Sequence, residues 1–185
     1  MTGVETDQRA AVLLARQEIA DVLYRYCRAL GRMDRPLADT VWHPGGTADY
    51  GPGFRGTGAE FLDVVWAYHD RLESHSHLVS NVLVDVDHQA GTATSEAYVS
   101  VRLCGYPDGG SAHHIWHRGR YLDRFTRENG TWGIRHRVYV GDLSLELDAP
   151  HRPASGPRGT RDRSDPSYAL LDAPPTPAAG EESTG

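Results

Sequence analysis

Apolar residues recur at Val12, Ile19, Leu23, Tyr26, Cys27 and Leu30, in helical steps down a single face, and predict a long amphipathic first helix. Gly31 falls near the end of that pattern. Pro36 fits the first turn of a short second helix through Leu37, Val41 and Trp42, which His43-Pro44-Gly45-Gly46 would stop. Beyond a Gly/Pro-rich stretch at 50–58, Phe61, Val64, Val65, Tyr68 and Leu72 mark a third helix. Thr57 is its expected N-cap, with Glu60 completing a capping box. The period then changes to two. Strands are expected over 77–86, 92–104, 111–126 and 131–145, the last two joined by a tight Asn129-Gly130 turn and the middle two by a loop at 105–110. Three helices followed by a four-stranded antiparallel meander make an α+β domain with its helices on one sheet face.

Composition bounds the domain. From Asp148 onward the chain is dense in Pro, Gly, Ala and charge, too poor in apolar residues to offset its ordering entropy. The reading is a folded domain at 8–147 and a disordered tail at 148–185. The tail's one apolar patch, Tyr168-Ala169-Leu170-Leu171, is its candidate docking point. The formal net charge is -6, all basic residues are arginine, and these are scattered rather than gathered in a stripe. That argues against nucleic acid as a partner. The two cysteines, Cys27 and Cys104, have no CxxC spacing, which suggests buried thiols in a reducing compartment. With neither a signal-peptide pattern at the N-terminus nor an apolar run of membrane length, the expectation is a soluble, cytoplasmic protein without a membrane partner.

Several segments, taken in order, carry a resemblance. They are Tyr26-Cys27-Arg28-Ala29-Leu30, His43-Pro44, Tyr50-Gly51-Pro52-Gly53-Phe54-Arg55-Gly56 and His77-Leu78-Val79-Ser80-Asn81. Gly119-Arg120-Tyr121-Leu122-Asp123-Arg124-Phe125 and Gly130-Thr131-Trp132-Gly133-Ile134-Arg135-His136-Arg137 complete the set. Together they resemble the SnoaL-like branch of the NTF2-like superfamily over about 10–146. The resemblance implies a cone-shaped α+β barrel, three N-terminal helices packed on a curved antiparallel sheet. Within the branch the chain is most similar to the group of bile-acid 7α-dehydratase, scytalone dehydratase and hexachlorocyclohexane dehydrochlorinase. There a first-helix aspartate and a strand histidine form an acid–base dyad, and some members add a tyrosine. The resemblance places His77 on the histidine and Tyr26 on the tyrosine. The aspartate position holds Gly31, while a second acidic position is kept as Asp34; Gly45 also departs from the family, which commonly has Asp after His-Pro.

The chemistry implied is proton transfer without a cofactor on a polycyclic or polyketide-like small molecule, by dehydration or cyclisation. Histidine suits the base because its free pKa lies near neutrality. Tyr26 would donate to a developing enolate oxygen. Without a carboxylate at Gly31, three alternatives stand: Asp34 substitutes, His77 works unassisted on a reactive substrate, or the dyad is inactive. Read without the resemblance, Tyr26 and His77 are ordinary core residues and Asp34 is a helix cap. Trp42, Tyr50, Phe54, Trp66 and Trp116 are candidates to line a ring-accepting cavity. His113 and His117 are candidate pocket histidines, since scytalone dehydratase uses a second histidine from such a strand. His75 with His77, and His113 with His117, alternate on strand faces, but no ligand pattern accompanies them, so no metal is expected. A homo-oligomer, dimer or trimer, is expected from the superfamily. The rival class is a non-catalytic ligand-binding or protein-assembly module on the same fold.

Overall fold

The computed structural model describes residues 3–106, 111–150 and 155–172. Helix α1 spans Gly3–Arg32 and buries Ala15, Ile19, Val22, Leu23, Tyr26, Ala29 and Leu30 along one side. Each fully buried Val, Leu or Ile there contributes about 1.5–3 kcal/mol. Helix α1 therefore owes its stability to packing more than to propensity. It runs through Gly31 and stops on Met33, whose φ of 51° places it in the left-handed region. The Met33 N–H donates to the Leu30 carbonyl at 3.1 Å and the Asp34 N–H to the Ala29 carbonyl at 2.9 Å, a Schellman cap. Gly31 therefore has no capping duty.

Helix α2, Arg35–Asp39, is shorter than its apolar spacing suggested. Trp42, expected at its end, instead begins strand β1, Trp42–Asp49, and a 3-10 turn at Gly51–Gly53 leads to β2, Arg55–Thr57. These two strands were not expected, because Pro44-Gly45-Gly46 is ordinarily a stop signal. The breakers are absorbed by an irregularity in pairing, Trp42 lying opposite Ile134 and Thr47 opposite His136. Gly45 has a φ of 72°, and a Cβ on Gly46 would lie 2.7 Å from the Ile134 carbonyl oxygen. Helix α3, Gly58–His69, starts on the expected Thr57–Glu60 capping box and ends three residues before Leu72.

Strands β3, Ser74–Asp87, β4, Thr92–Gly105, β5, His113–Glu128, and β6, Thr131–Asp148, form the expected meander. With β1 and β2 they make one six-stranded sheet, ordered β2-β1-β6-β5-β4-β3, in which only β1 and β6 run parallel. The sheet is curved and unclosed, as in the cone of NTF2-like proteins. Helix α1 packs on β3 and β6, and α3 on β1 and β2.

Asn81, with a φ of 51°, makes a bulge in β3. It shifts the alternation by one, so His75, His77 and Val79 share the inner face with Val82, Val84 and Val86, and Leu78 and Leu83 point outward. Within the segment expected to lack order, Pro166–Asp172 forms helix α4, and Tyr168 and Asp165 are buried. Order thus extends beyond residue 147 into the tail. Residues 151–154 and 173–185 of the tail, and most of the loop at 105–110, lie outside the described residues.

Candidate functional site

An open cleft of about 830 Å³ runs along α1, lined by Tyr24, Cys27, Arg28, Gly31 and Arg32, with His75, Ser76 and His77 of β3 and Trp132 of β6. Its His77 wall is the end of a three-imidazole cluster. His69, the last residue of α3, stacks on His75 with ring centroids 4.2 Å apart, and lies 5.2 Å from His77. His75 Nε2 donates to the Leu30 carbonyl at 2.8 Å, which fixes its proton on that nitrogen. The Nδ1 atoms of all three histidines are buried without a hydrogen-bond partner.

Burial pushes all three imidazoles toward the neutral form. His69 is driven down to about 3, by burial first and then by His75 and Arg161. His77 is driven well below the usual histidine range, by burial and then by His69, His75 and Arg137. At neutral pH the cluster is therefore uncharged, and His77 is in the form a base requires. The beside-lying Cys27 thiol is pushed by burial up to about 12, so it stays protonated and is no nucleophile.

A pH dependence of stability follows. The unfolded chain protonates its histidines near 6.5, whereas the folded cluster resists protonation until much lower. Stability is thus complete above about pH 6.5 and falls as pH drops, with a slope of up to about 1.4 kcal/mol per unit per histidine. For His69 that window extends down to about 3. Urea unfolding should show a lower midpoint at pH 5 than at pH 7, and His69→Gln should flatten the difference. Equal midpoints would mean that the folded cluster accepts protons freely.

Around the residue expected to pair with His77 the structure differs from expectation. Tyr26 is 1 % exposed and does not line the cleft. It faces the interior of the cone because it lies on the same stripe as Ile19, Leu23 and Leu30, whereas Cys27 and Gly31 lie on the flank toward β3. Its ring is 5.9 Å from Tyr121, edge to face. The Arg137 guanidinium sits 4.5 Å from the Tyr26 ring, 3.9 Å from Tyr121 and 5.5 Å from Trp42. Arg137 also makes a bidentate pair with Asp123, Nε to Oδ1 and Nη2 to Oδ2, both at 2.7 Å and fully buried. Its Nη1 is buried, and the Tyr50 hydroxyl lies beside it, interacting with both Tyr26 and Arg137. Burial first, and then Tyr50, holds the Tyr26 phenol far above its usual range, so it remains a neutral donor. His77 and Tyr26 both neighbour Arg137, but only His77 opens on the cleft.

Asp34 is committed elsewhere. It caps α2, accepting from the Leu37 N–H at 3.2 Å, and accepts from the Tyr168 hydroxyl at 2.7 Å and from Arg163 at 3.5 Å. Those contacts hold the carboxylate at the start of α2 and against the 163–168 segment, and it does not line the cleft with His77. At Gly31, by contrast, a Cβ would meet nothing within 4 Å. Gly31 thus leaves open space in the cleft wall.

The expected aromatic lining is also redistributed. Tyr50 stacks between Phe61, at 4.1 Å, and Tyr139, at 5.3 Å, with Phe54 against Phe61. Trp42 packs flat on Gly58, where a Cβ would come within 2.4 Å of its ring. Trp66 is half-buried on α3 beneath Arg35. None of these four lines the cleft. Trp116 stands on the outer sheet face, its indole N–H donating to Ser100 Oγ at 2.6 Å. His113 shares the β5 parity of Tyr121 but lies beyond the helices, held between Asp148 and Glu146 at 2.8 and 3.5 Å. It borders a separate hollow with Tyr68, Arg71 and Tyr106. His117 pairs with Val101 and Ser144 on the same stretch of β5 and likewise lies outside the cleft. Among the described residues no three His, Cys, Asp or Glu side chains are arranged to hold a metal ion.

With this geometry in place, residues 11–138 match the SnoaL-like domain family. The chain belongs to that family. No curated protein matches the sequence. Solved structures share the fold at low identity. A hexachlorocyclohexane dehydrochlorinase of type 2 superposes with a TM-score of 0.69 at 13 % identity, over 80 % of this chain and 99 % of that one. A type 3 form from Novosphingobium barchaimii gives 0.67 at 14 % identity, over 79 % and 99 %. A scytalone-dehydratase-like protein from Novosphingobium aromaticivorans gives 0.64 at 15 %, over 81 % and 99 %.

Sequence reasoning missed His69 and the Arg137–Asp123 pair. Counted back from the Asn129-Gly130 turn, Asp123 falls opposite His136, and only an irregularity between Phe125 and Arg124 brings it opposite Arg137, which hid the pair. His69 carried no signal either, because its burial depends on where α3 lands against β3.

Proposed function

We propose that this SnoaL-like protein is a cytoplasmic, cofactor-free lyase or cyclase whose base is His77. The observation that carries the reading is the neutral His77 imidazole forming the wall of an open cleft, beside the unfilled flank of Gly31. The names of the similar structures, dehydrochlorinase and scytalone dehydratase, lend support, since both describe eliminations. In a dehydration His77 takes the proton alpha to a carbonyl, and the imidazolium returns it to the leaving hydroxyl, so that water departs and the ring is restored. In a cyclisation the enolate so formed attacks a second carbonyl of the substrate, whose C=O π bond opens to an alkoxide that takes the proton back from the imidazolium. Arg25, Arg28 and Arg32 line the cleft and suit a substrate rich in oxygens, such as a polyketide-like or polycyclic β-hydroxy ketone. Tyr26 serves behind the wall, as packing for Arg137. His77→Gln, checked for native folding, is expected to lower turnover of such substrates by about 10²–10⁴-fold. Unchanged turnover would remove His77 from the reaction.

A second reading is favoured by one feature: the cone interior is filled by Tyr26, Tyr121 and Arg137, as in a non-catalytic binding or assembly module. Binding of the same compounds without turnover, unaffected by His77→Gln, would select it. Either reading is compatible with a dimer or trimer joined through the outer sheet face, where Leu78, Trp116, Leu143, Leu145 and Leu147 are exposed. A single copy by sedimentation equilibrium would dispose of that association.

A further inference from the structure

The α1 wall of the cleft is a stripe of charge. Glu18, Asp21, Arg25, Arg28 and Arg32 follow one another at steps of three and four residues, so they share one helix face, and all five line the cleft. The stripe is ordered, with its acids toward the N-terminus and its arginines toward Gly31. The chain as a whole has a formal charge of -6, so the basic end runs against the sign of the molecule.

Two of these arginines have no ionic partner. Arg32 is committed: it pairs with Asp165 at 3.1 Å and stands in the last turn, where a cation offsets the helix dipole. Arg28 lies a turn further in. Its Nη1 donates to the neutral Ser167 hydroxyl at 3.2 Å, and its guanidinium lies 4.8 Å from the Tyr168 ring. Arg25, half-buried like Arg28, donates from Nε to the Asp21 backbone carbonyl at 3.3 Å. The Asp21 carboxylate accepts instead from Gln17 at 2.8 Å. Among the described residues no carboxylate pairs with Arg25 or Arg28. The side chains opposite, His75, Ser76 and His77, bring no negative charge. A half-buried guanidinium has lost part of its hydration, and its planar fork of donors is best matched by a carboxylate.

Gly31 supplies the room. It stands three residues beyond Arg28, and a Cβ there would meet nothing within 4 Å. A ring system lying along that gap can offer its reacting carbon to His77 and an anionic substituent to Arg28 and Arg25, whose Cα atoms are about 4.5 Å apart along the helix axis.

We propose that the substrate carries a carboxylate besides its ketone, and that Arg25 and Arg28 grip it and select the acid over its neutral counterpart. The proposal rests on the cleft being the substrate site, but its test reads binding rather than turnover. His77→Gln, which removes the proposed base, should leave the preference intact, so the two readings fail separately. The probes are 2-naphthoate and 2-naphthamide, fused rings that differ by one charge. Equilibrium dialysis against the full chain should give the naphthoate a Kd about 10–100-fold lower, the worth of hydrogen bonds to a charged group. Arg25→Gln and Arg28→Gln should each cut that ratio at least about threefold while leaving naphthamide binding within about twofold of the parent, as expected where only charge-assisted bonds are lost. Arg118→Gln, at an exposed position of β5, should leave the ratio unchanged. Equal affinity for the two probes, no binding of either, or an arginine variant that weakens both alike would overturn the proposal. So would a ratio that falls as far in Arg118→Gln, since net charge would then account for it. Should the cleft variants fail to fold, the parent protein supplies the test. Raising salt from about 0.05 to about 0.5 M should narrow the ratio by weakening the naphthoate alone, and a ratio indifferent to salt would equally overturn the proposal.

Discussion

Placing an aspartate at Gly31 is expected to raise the proposed elimination activity by about 10²-fold or more. In a related arrangement, loss of the carboxylate that orients a catalytic histidine costs about 10⁴ in rate. The backbone is ready for the change. Gly31 lies within α1, the left-handed cap is made by Met33 instead, and a Cβ at Gly31 meets nothing within 4 Å. An adjacent carboxylate raises an imidazole pKa, so the depressed His77 should titrate closer to neutrality and become a stronger base. Gly31→Ala is the control. It should gain up to about 1 kcal/mol from the loss of glycine's backbone freedom, without the rate gain, since it brings no carboxylate. A folded Gly31→Asp variant whose His77 titrates as in the parent would show that the carboxylate does not reach the ring. Lost ligand binding would instead show that the glycine makes room for substrate.

Replacing Arg137 by leucine is expected to destabilise the fold by about 3–5 kcal/mol, because it strands the Asp123 carboxylate in the core. The guanidinium also covers Tyr26 and Tyr121, a desolvated cation–π contact being worth about 2 kcal/mol or more. Arg137→Lys should be nearly as damaging, since an ammonium cannot reproduce the two parallel bonds to Asp123. Removing both charges together, as Arg137→Met with Asp123→Leu, should recover most of the loss, because no uncompensated ion remains. Urea unfolding of the three variants measures these differences. A single variant costing less than about 1 kcal/mol would mean that water reaches the pair.

The elements legible in the sequence were those whose signal is local. The α1 stripe from Ile19 to Leu30, the Thr57–Glu60 capping box and the Asn129-Gly130 hairpin each depend on residues within one or two turns, and all are present. Strands β1 and β2 were hidden because Pro44-Gly45-Gly46 reads as a terminus, and only pairing with β6 turns it into a bulge. The site was legible in part. His77 and Gly31 do meet in one cleft, whereas Tyr26 and Asp34 are drawn away from it, one by the curvature of the cone and one by the returning tail.

The amino-acid sequence by itself determined the family, the helix-then-meander order and the absence of a carboxylate where the dyad would need one, because periodicity and residue identity are properties of the chain. Tertiary structure alone decided which face of α1 meets the cone interior and which the cleft, although five residues of spacing already set Tyr26 and Gly31 about 140° apart on any α-helix. It also decided that three histidines from two elements would meet, and that Asp34 would hold Tyr168. Those outcomes depend on contacts between residues far apart in the chain, where burial and desolvation set protonation and hydrogen-bond partners, and no local pattern encodes them.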